Sequence, residues 1–530
     1  MAIPVIGKRY ADSVDALDTR VCDRARLARD ARFDGRFFIA VLSTRIYCRP
    51  ICPSPTARRE NVRYYRSAEE ASAAGFRPCL RCRPETAPGT PAWNGTSATV
   101  NRALRLIAER LPEAETVASL AERLGVSARH LNRLFHVHLG ASPVAVAKTR
   151  RLHFAKQLIS DTDLPMFRVA QASGFRSVRR FNDSIRELYG RTPSELRRLR
   201  PVALRARPDE YVFRLPYRPP YDWESLLAFL AGRAIPGVEE VVSGRYRRSF
   251  ALDGRHGILE VRHEKSAHAL EARIRFGEPL SLLPIVTRLR AMFDLAADPA
   301  VIAGHFRRDL LLGRLVRKYP GLRVPGAWEA FELAVRAILG QQVSVAAAST
   351  LAGRIAWKFG ERLSVPDAGG LTTVFPTAGA LARVSLTGLP GTRAGAIRSL
   401  AQAVASDGVT LSLSGVDEVA SLASLSRIRG IGDWTVQYIA MRALRQPDAF
   451  PVNDLVLLRT AGRGRPLTAA ALLRRAEQWR PWRAYAALYL WRAAADLSRE
   501  RDTGAARASA DSPRISAATG AEPAEEIAAG

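Results

Sequence analysis

The sequence predicts a multi-domain α+β protein, and three observations predict it. The chain has 530 residues, room for roughly three to five domains at about 100–200 residues each. Its composition changes at 86–98, a Pro/Gly/Ser/Thr stretch, and again at 201–220, which holds five prolines. All five cysteines precede residue 83. The segments between these marks differ in pattern. Residues 1–85 read as a small α/β module that holds a metal. Residues 99–200 read as helices, and residues 209–320 as mixed, with strand-like runs such as 257–262. Residues 322–497 read as helices again, so an all-α unit closes the chain. From about 500 to 530 the residues are mostly Ala, Ser, Gly, Pro and Glu. Too few large apolar side chains occur there to offset ordering entropy, so a disordered tail is expected.

Charge narrows the function. Eighty Lys and Arg against fifty-one Asp and Glu give a formal net charge of +29. Polyanions, with nucleic acid first, are the implied partners. Part of the excess is compositional, because Arg and Ala are abundant throughout. No apolar run reaches the ~18–20 residues of a membrane span. The N-terminus lacks the basic start and apolar stretch of a secretory signal. A cytoplasmic protein (bacterial cytosol or nucleoid) with no membrane partner is expected.

The first module carries Cys48-x3-Cys52 and Cys79-x2-Cys82. In a reducing compartment, close-spaced pairs read as metal ligands. Four sulfurs at about 2.3 Å in a tetrahedron suit Zn2+. On spacing alone most such sites are inert structural knuckles. The flanks add specificity: Phe33-Asp-Gly-Arg-Phe-Phe38, Thr44-Arg-Ile-Tyr-Cys-Arg-Pro50, Glu60-Asn-Val62 and Gly75-Phe-Arg-Pro-Cys-Leu-Arg-Cys-Arg-Pro84. These runs resemble the N-terminal domain of the Ada alkylation-response family. The resemblance implies one zinc held by Cys48, Cys52, Cys79 and Cys82. It makes Cys48 the acceptor of a methyl group from a DNA methylphosphotriester, with Thr44 and Arg77 beside the DNA. Methylation would turn a thiolate into a thioether, remove one negative charge and raise affinity for phosphates. The family places an Arg three residues after the second cysteine, where this chain has Pro55; Arg58 and Arg59 follow as substitutes. Cys22 has no partner in the pattern and reads as a small buried hydrophobe.

The second module is duplicated. Leu120–Val126 recurs loosely as Val169–Phe175, and Gly140–Pro143 as Gly190–Pro193. Val117–Ser127 fits the first helix and turn of a helix-turn-helix, with Gly125 at the turn and Ser127 capping the next helix. Ser177 caps the matching helix of the second copy. The module resembles the AraC-type DNA-binding domain over about 100 residues, and the resemblance implies two recognition helices in successive major-groove segments. Arg129, His130, Asn132 and Arg133 are candidate contacts in the first, and Arg176, Arg179, Arg180 and Asn182 in the second. Phosphate contacts outnumber base contacts, so each Arg taken singly reads first as a phosphate contact.

The C-terminal half holds the most specific motif, Leu425-Ser-Arg-Ile-Arg-Gly-Ile-Gly-Asp-Trp-Thr-Val436. Two helices around Gly-Ile-Gly make a helix-hairpin-helix. Gly430 and Gly432 are expected to supply unusual backbone angles and N–H groups for a DNA phosphate. Twenty-two residues after Gly432 comes Asp454, which read alone is a helix cap. Together with Ala337–Val345 and Trp479–Tyr485, the half resembles the AlkA-type methyladenine glycosylases. Pro219–Trp223 and Leu226–Leu230 resemble that family's N-terminal domain, which implies a TBP-like antiparallel sheet domain over 209–320 and an all-α glycosylase domain over 322–497.

The resemblance makes Asp454 the catalytic carboxylate, stabilising positive charge on the sugar. It places Trp434, Tyr438 and Trp491, with Phe229 as a fourth, around a flipped base. Aromatic faces attract an alkylated, cationic base. Family members that also nick the strand carry a lysine where this chain has Trp434, so a monofunctional enzyme is expected. Gln342 falls where the family inserts a side chain into the gap left by the base. A monovalent cation at the hairpin carbonyls often accompanies the motif. No cysteine follows Cys82, so no repair of O6-methylguanine by a second thiol is expected.

Three functions stand open on the sequence. The first is a fused 3-methyladenine-type glycosylase, phosphotriester sensor and transcription regulator that acts on double-stranded DNA and contacts RNA polymerase. The second is a regulator whose vestigial glycosylase half clamps DNA. The third is a DNA-binding scaffold with structural zinc. The duplicated helix-turn-helix lets a monomer span two groove segments.

Overall fold

A computed structural model describes residues 17–88, 98–109, 116–199 and 209–510, apart from breaks at 366, 368, 388, 390, 407, 410, 412–417 and 463–464. Residues 89–97 of the linker and 511–530 of the tail lie outside the described residues. The architecture is multi-domain α+β.

The first unit begins with the helix Thr19–Leu27, capped by the Asp18 side chain on Arg20 N and Val21 N. Strands β1 (Phe38–Val41), β2 (Ile46–Cys48), β3 (Val62–Tyr65) and β4 (Arg77–Pro78) form a sheet in the order β3-β1-β2-β4. All neighbours are antiparallel except β2 and β4. The parallel pair brings the end of β2, with Cys48, beside the start of the Cys79–Cys82 turn. Two small clusters, around Phe38, Tyr47 and Phe76 and around Cys22, Phe37 and Val62, are its described apolar cores.

The helical unit repeats one design. Helices Val117–Arg123 and Ala128–Leu139 form the first copy, and Met166–Ala172 and Val178–Tyr189 the second. Helix Pro143–Asp161 joins them. Both second helices bury every fourth residue: Leu131, Phe135 and Leu139 in one, Phe181, Ile185 and Tyr189 in the other. Each ends on a left-handed glycine, Gly140 (φ +70°) and Gly190 (φ +66°). Ser127 caps the first recognition helix through His130 N at 3.2 Å. Ser177 occupies the equivalent position, but its side chain makes no capping bond; the expected cap is there in place but not in chemistry.

Strands β5 (Glu210–Pro216), β6 (Glu239–Val242), β7 (Arg245–Leu252), β8 (Arg255–Glu264) and β9 (Ala269–Arg275) form one antiparallel sheet, order β5-β9-β8-β7-β6. In β5 the alternation is strict: Tyr211, Phe213 and Leu215 are buried and their neighbours are not. The core of this sheet does not stop at the proline-rich stretch. Leu152, Phe181 and Leu196 of the helical unit share a single buried cluster with Phe213, Leu259 and Trp328.

The remaining helices pack into two lobes. One is built around Ile338, Leu400, Leu425 and Ile439, the other around Phe306, Leu457, Trp479 and Tyr489. Tyr438 borders both. The last helix, Arg483–Ala510, continues past residue 500, where disorder was expected. Ala and Arg are strong helix formers, and here propensity outweighs the shortage of large apolar residues.

The units dock on one another. Tyr47 Oη lies 2.9 Å from His153 Nε2, joining β2 to the helix between the two repeats. Arg83 pairs with Asp161 at 2.9 Å across the same face. Arg36 reaches the fully buried Asp298 at 3.1 Å. Arg218 donates to the carbonyl of Pro88 at 3.4 Å. Gly35 (φ +72°) lies so close to Pro88 O and Arg218 that no Cβ would fit there.

Candidate metal centre and aromatic cavity

Two sites stand out. In the first, the Sγ atoms of Cys48, Cys52, Cys79 and Cys82 all lie within 4.8 Å of one another. Cys52 Sγ and Cys79 Sγ are 3.9 Å apart. Four thiolates at 2.3 Å from one tetrahedral ion would sit about 3.8 Å apart, so the donor set fits zinc. The backbone N–H of Arg49 donates to Cys82 Sγ at 3.3 Å. The buried Arg49 side chain pairs with Asp34 and donates to Cys82 O at 3.0 Å and Thr86 Oγ1 at 2.9 Å. This residue therefore braces both halves of the ligand set. Cys79 and Cys82 are buried, whereas Cys48 and Cys52 are partly exposed. The zinc site is thus open on the side of Cys48 and Cys52.

Around it, Thr44 is exposed in the turn between β1 and β2. Arg77 is exposed, but its guanidinium rests against Gly190 of the second repeat. Of the two arginines after Pro55, Arg59 is held by Asp23, which leaves Arg58 exposed. Cys22 is buried, and burial with the carboxylates of Asp18 and Asp23 pushes its thiol up to about 12. It is a packing residue.

In the helical unit, Arg129 and Arg133 lie exposed on one face of the helix Ala128–Leu139. Arg179 and Arg180 are exposed at the start of Val178–Tyr189, with Arg176 exposed just before it. His130, Asn132 and Asn182 are half-buried. Asn132 donates to Ala128 O at 3.0 Å, so its amide is engaged inside its own helix.

The second site is a cavity of about 680 Å³ between the two helical lobes. Trp434 and Tyr438 come from the helix Asp433–Arg442, Asp454 caps Leu455–Ala461, Trp491 comes from the last helix, and Phe229 from Trp223–Ala231 of the sheet unit. Asp454 is the focus. One carboxylate oxygen accepts from Trp434 Nε1 at 2.9 Å. The other accepts from Trp491 Nε1 at 3.1 Å and from Val456 N and Leu457 N, both at 3.0 Å. The capping role read from its place in the chain and a place in the cavity are held by the same side chain.

The aromatic wall has a definite shape. Trp434 and Tyr438 are stacked, ring centroids 5.0 Å apart and 11° from parallel. That gap is too narrow to admit a planar ring between them, so only their outer faces can stack on one. Trp491 is tilted 59° from Tyr438 at 6.3 Å. Phe229 does not offer a bare face: Arg233 Cζ is 3.8 Å and Arg442 Cζ 4.8 Å from its ring centroid. Arg442 also donates to Tyr438 Oη at 2.6 Å. Burial would raise the Tyr438 hydroxyl, but the guanidiniums of Arg442, Arg233 and Arg336 outweigh it and hold it below the ordinary tyrosine value. No motif in the sequence marks these three arginines.

The hairpin differs from expectation at one glycine. Gly430 has φ +92° and a Cβ there would meet Ala396 Cβ at 2.9 Å, so glycine is required. Gly432 has φ −84° and ψ 172°, ordinary extended backbone, and caps the helix Asp433–Arg442. Nothing lies within 4 Å of a Cβ built at Gly432. Its smallness leaves the helix N-terminus open to an approaching phosphate. Gln342 is exposed between the helices Ala330–Leu339 and Val345–Phe359, with φ +55°.

Three family models match the chain. They describe the metal binding domain of Ada over residues 21–85, a helix-turn-helix domain over 120–199 and the AlkA N-terminal domain over 212–329. A Mycobacterium tuberculosis protein named "Probable bifunctional transcriptional activator/DNA repair enzyme AlkA" is 40% identical over 480 residues, covering 89% of this chain and 96% of its own length. Escherichia coli DNA-3-methyladenine glycosylase 2 is 37% identical over 288 residues, 53% of this chain and 96% of its own. The Escherichia coli bifunctional transcriptional activator/DNA repair enzyme Ada is 36% identical over 171 residues, 32% of this chain and 47% of its own.

Proposed function

The chain belongs to the family of fused proteins that join an Ada-type metal-binding and helix-turn-helix half to an AlkA-type half, and from that premise we propose that it excises alkylated bases from DNA and regulates transcription in response to methylation. The observation that carries the reading is the Asp454 carboxylate, held by two indole N–H groups at the wall of an aromatic cavity. The fixed ion lies ready for the positive charge that develops on a deoxyribose as its bond to the base breaks. A base alkylated on a ring nitrogen is cationic and leaves without a general acid. Water adds to the sugar and an abasic site remains. No amine stands at position 434 to attack the sugar, so the strand is left intact. The base is of 3-methyladenine type and lies on the outer face of Trp434 or against Trp491, extruded from the duplex, with Gln342 filling its place. Gly430 and Gly432 present the hairpin to phosphate, and a monovalent cation at the hairpin carbonyls fits the same role.

At the other site, zinc when bound keeps the thiols ionised. The Cys48 sulfur attacks the methyl carbon of a methylphosphotriester. An S–C bond forms, the O–C bond breaks, and its electron pair stays on the phosphate oxygen as a diester. Exposure narrows the acceptor to Cys48 or Cys52, against the buried Cys79 and Cys82, and the likeness to the Ada metal-binding domain supports Cys48 of the two. Thr44 and Arg58 border the phosphate. Arg129 and Arg133 from one repeat, with Arg176, Arg179 and Arg180 from the other, face the promoter. RNA polymerase is the partner of the activated form, the protein acts as a monomer, and its place is the cytoplasm.

The test is base release from methylated duplex DNA by the full chain beside Asp454→Asn. Release of 3-methyladenine by wild type, with at least a roughly 100-fold slower rate in the variant, is expected. Equal rates would remove Asp454 from the chemistry. No release from wild type that still binds DNA would favour a non-catalytic clamp.

A further inference from the structure

The loop that carries Gln342 is tied to the hairpin by its neighbour. Gln341 Nε2 donates to the carbonyl of Gly430 at 2.9 Å and to Thr435 Oγ1 at 3.1 Å. Arg393 donates in turn to the Gln341 carbonyl. Gly430 faces Ala396 with no room for a Cβ, and Thr435 is almost wholly buried. One amide therefore spans from the Gly340–Ser344 loop to the fixed end of the hairpin. The next residue, Gln342, sits at φ +55°, a left-handed conformation that a non-glycine residue holds only where its surroundings over-determine it.

We propose that Gln341 is a positioning residue: its amide locks the wedge loop to the phosphate-binding hairpin, so that Gln342 cannot retreat when a base is extruded. The inference rests on the glycosylase reading above. A side chain that fills the gap left by a base must resist the returning base. It can do so only if its backbone is anchored to the element that grips the strand. Gln342 is polar and exposed, and the loop that carries it is held by this amide and by Arg393 on the Gln341 carbonyl.

The test uses the full chain and two readouts. One is single-turnover excision of an alkylated purine placed opposite its pairing partner or in a one-nucleotide bulge. The other is the fluorescence of 2-aminopurine beside an abasic analogue, which reports unstacking without chemistry. Gln341→Met keeps the reach of the side chain and removes its donors. It is expected to slow excision from the paired site by roughly tenfold and to lower the unstacking signal, while leaving the bulged substrate within about twofold. Thr435→Val removes one partner from the other side, and the double variant should be no worse than Gln341→Met alone. Equal losses on paired and bulged substrates, or additive losses, would overturn the lock. Unstacking by wild type without excision would sink the glycosylase reading and leave the lock standing. Excision by wild type with unstacking unchanged in Gln341→Met would do the reverse.

Discussion

Asp454 is a carboxylate whose two oxygens accept four N–H donors, two of them from helix backbone and two from indoles. The backbone pair fixes its place, and the indole pair ties it to the rings proposed to hold the base. Trp491→Phe keeps a ring and loses the donor. Its single-turnover excision should fall by roughly tenfold, with affinity for undamaged duplex unchanged; a change in affinity alone would assign Trp491 to DNA binding instead. At this scale much of the site was legible. The spacing from Gly432 to Asp454 and the three aromatics pointed to side chains that meet in one cavity. The arginines behind Phe229 were not legible, because Arg233 and Arg442 lie far apart in sequence and meet only through a ring between them. Gly432 misled for a related reason: a glycine kept for open space looks, in sequence, like a glycine kept for an angle.

At the scale of elements, the zinc lobe and the joint between sheet and helices make contrasting predictions. The lobe has short strands and two small apolar clusters, too little to hold it without its metal. Cys79→Ser should lose zinc, measured by elemental analysis, and the lobe should become protease-sensitive while the aromatic cavity keeps its activity. At the joint, Asp294 is buried and accepts from Tyr485 Oη at 2.7 Å. Burial raises its carboxyl, against the pull of Arg323, Tyr485 and Arg445. Such a group binds its proton more tightly folded than unfolded. Its contribution is full below the unfolded value near 3.9 and is lost as pH rises through the raised one. Asp294→Asn should therefore melt a few degrees above wild type at pH 8 and level with it near pH 4; an equal gap at both would assign the effect to packing. The alternation in β5 and the four-residue spacing in the recognition helices made these elements readable. The shared cluster of Leu152, Phe181, Phe213 and Trp328 did not follow from either pattern, since periodicity names a buried face and not the face it meets.

For the whole molecule, that shared cluster decides how the two halves relate. A protease site placed within 200–208 and cleaved should leave the halves co-eluting on a sizing column at both low and high salt, because apolar contact holds them. Separation at high salt would assign the joint to ion pairs such as Arg36–Asp298. The same seam limits what can be exchanged. Asp298 has no exposed side-chain surface, Gly35 admits no larger residue beside Pro88, and Arg218 is sealed between them. A chimera that brings in another glycosylase behind residue 209 would remove the buried acid and the buried cation, and would leave Arg36, the tight turn at Gly35 and the apolar face of Leu152 and Phe181 cut to mates they no longer have. Shuffled versions of this protein should express poorly unless both sides of the seam travel together, which makes the fusion a unit of inheritance and not a pair of interchangeable parts.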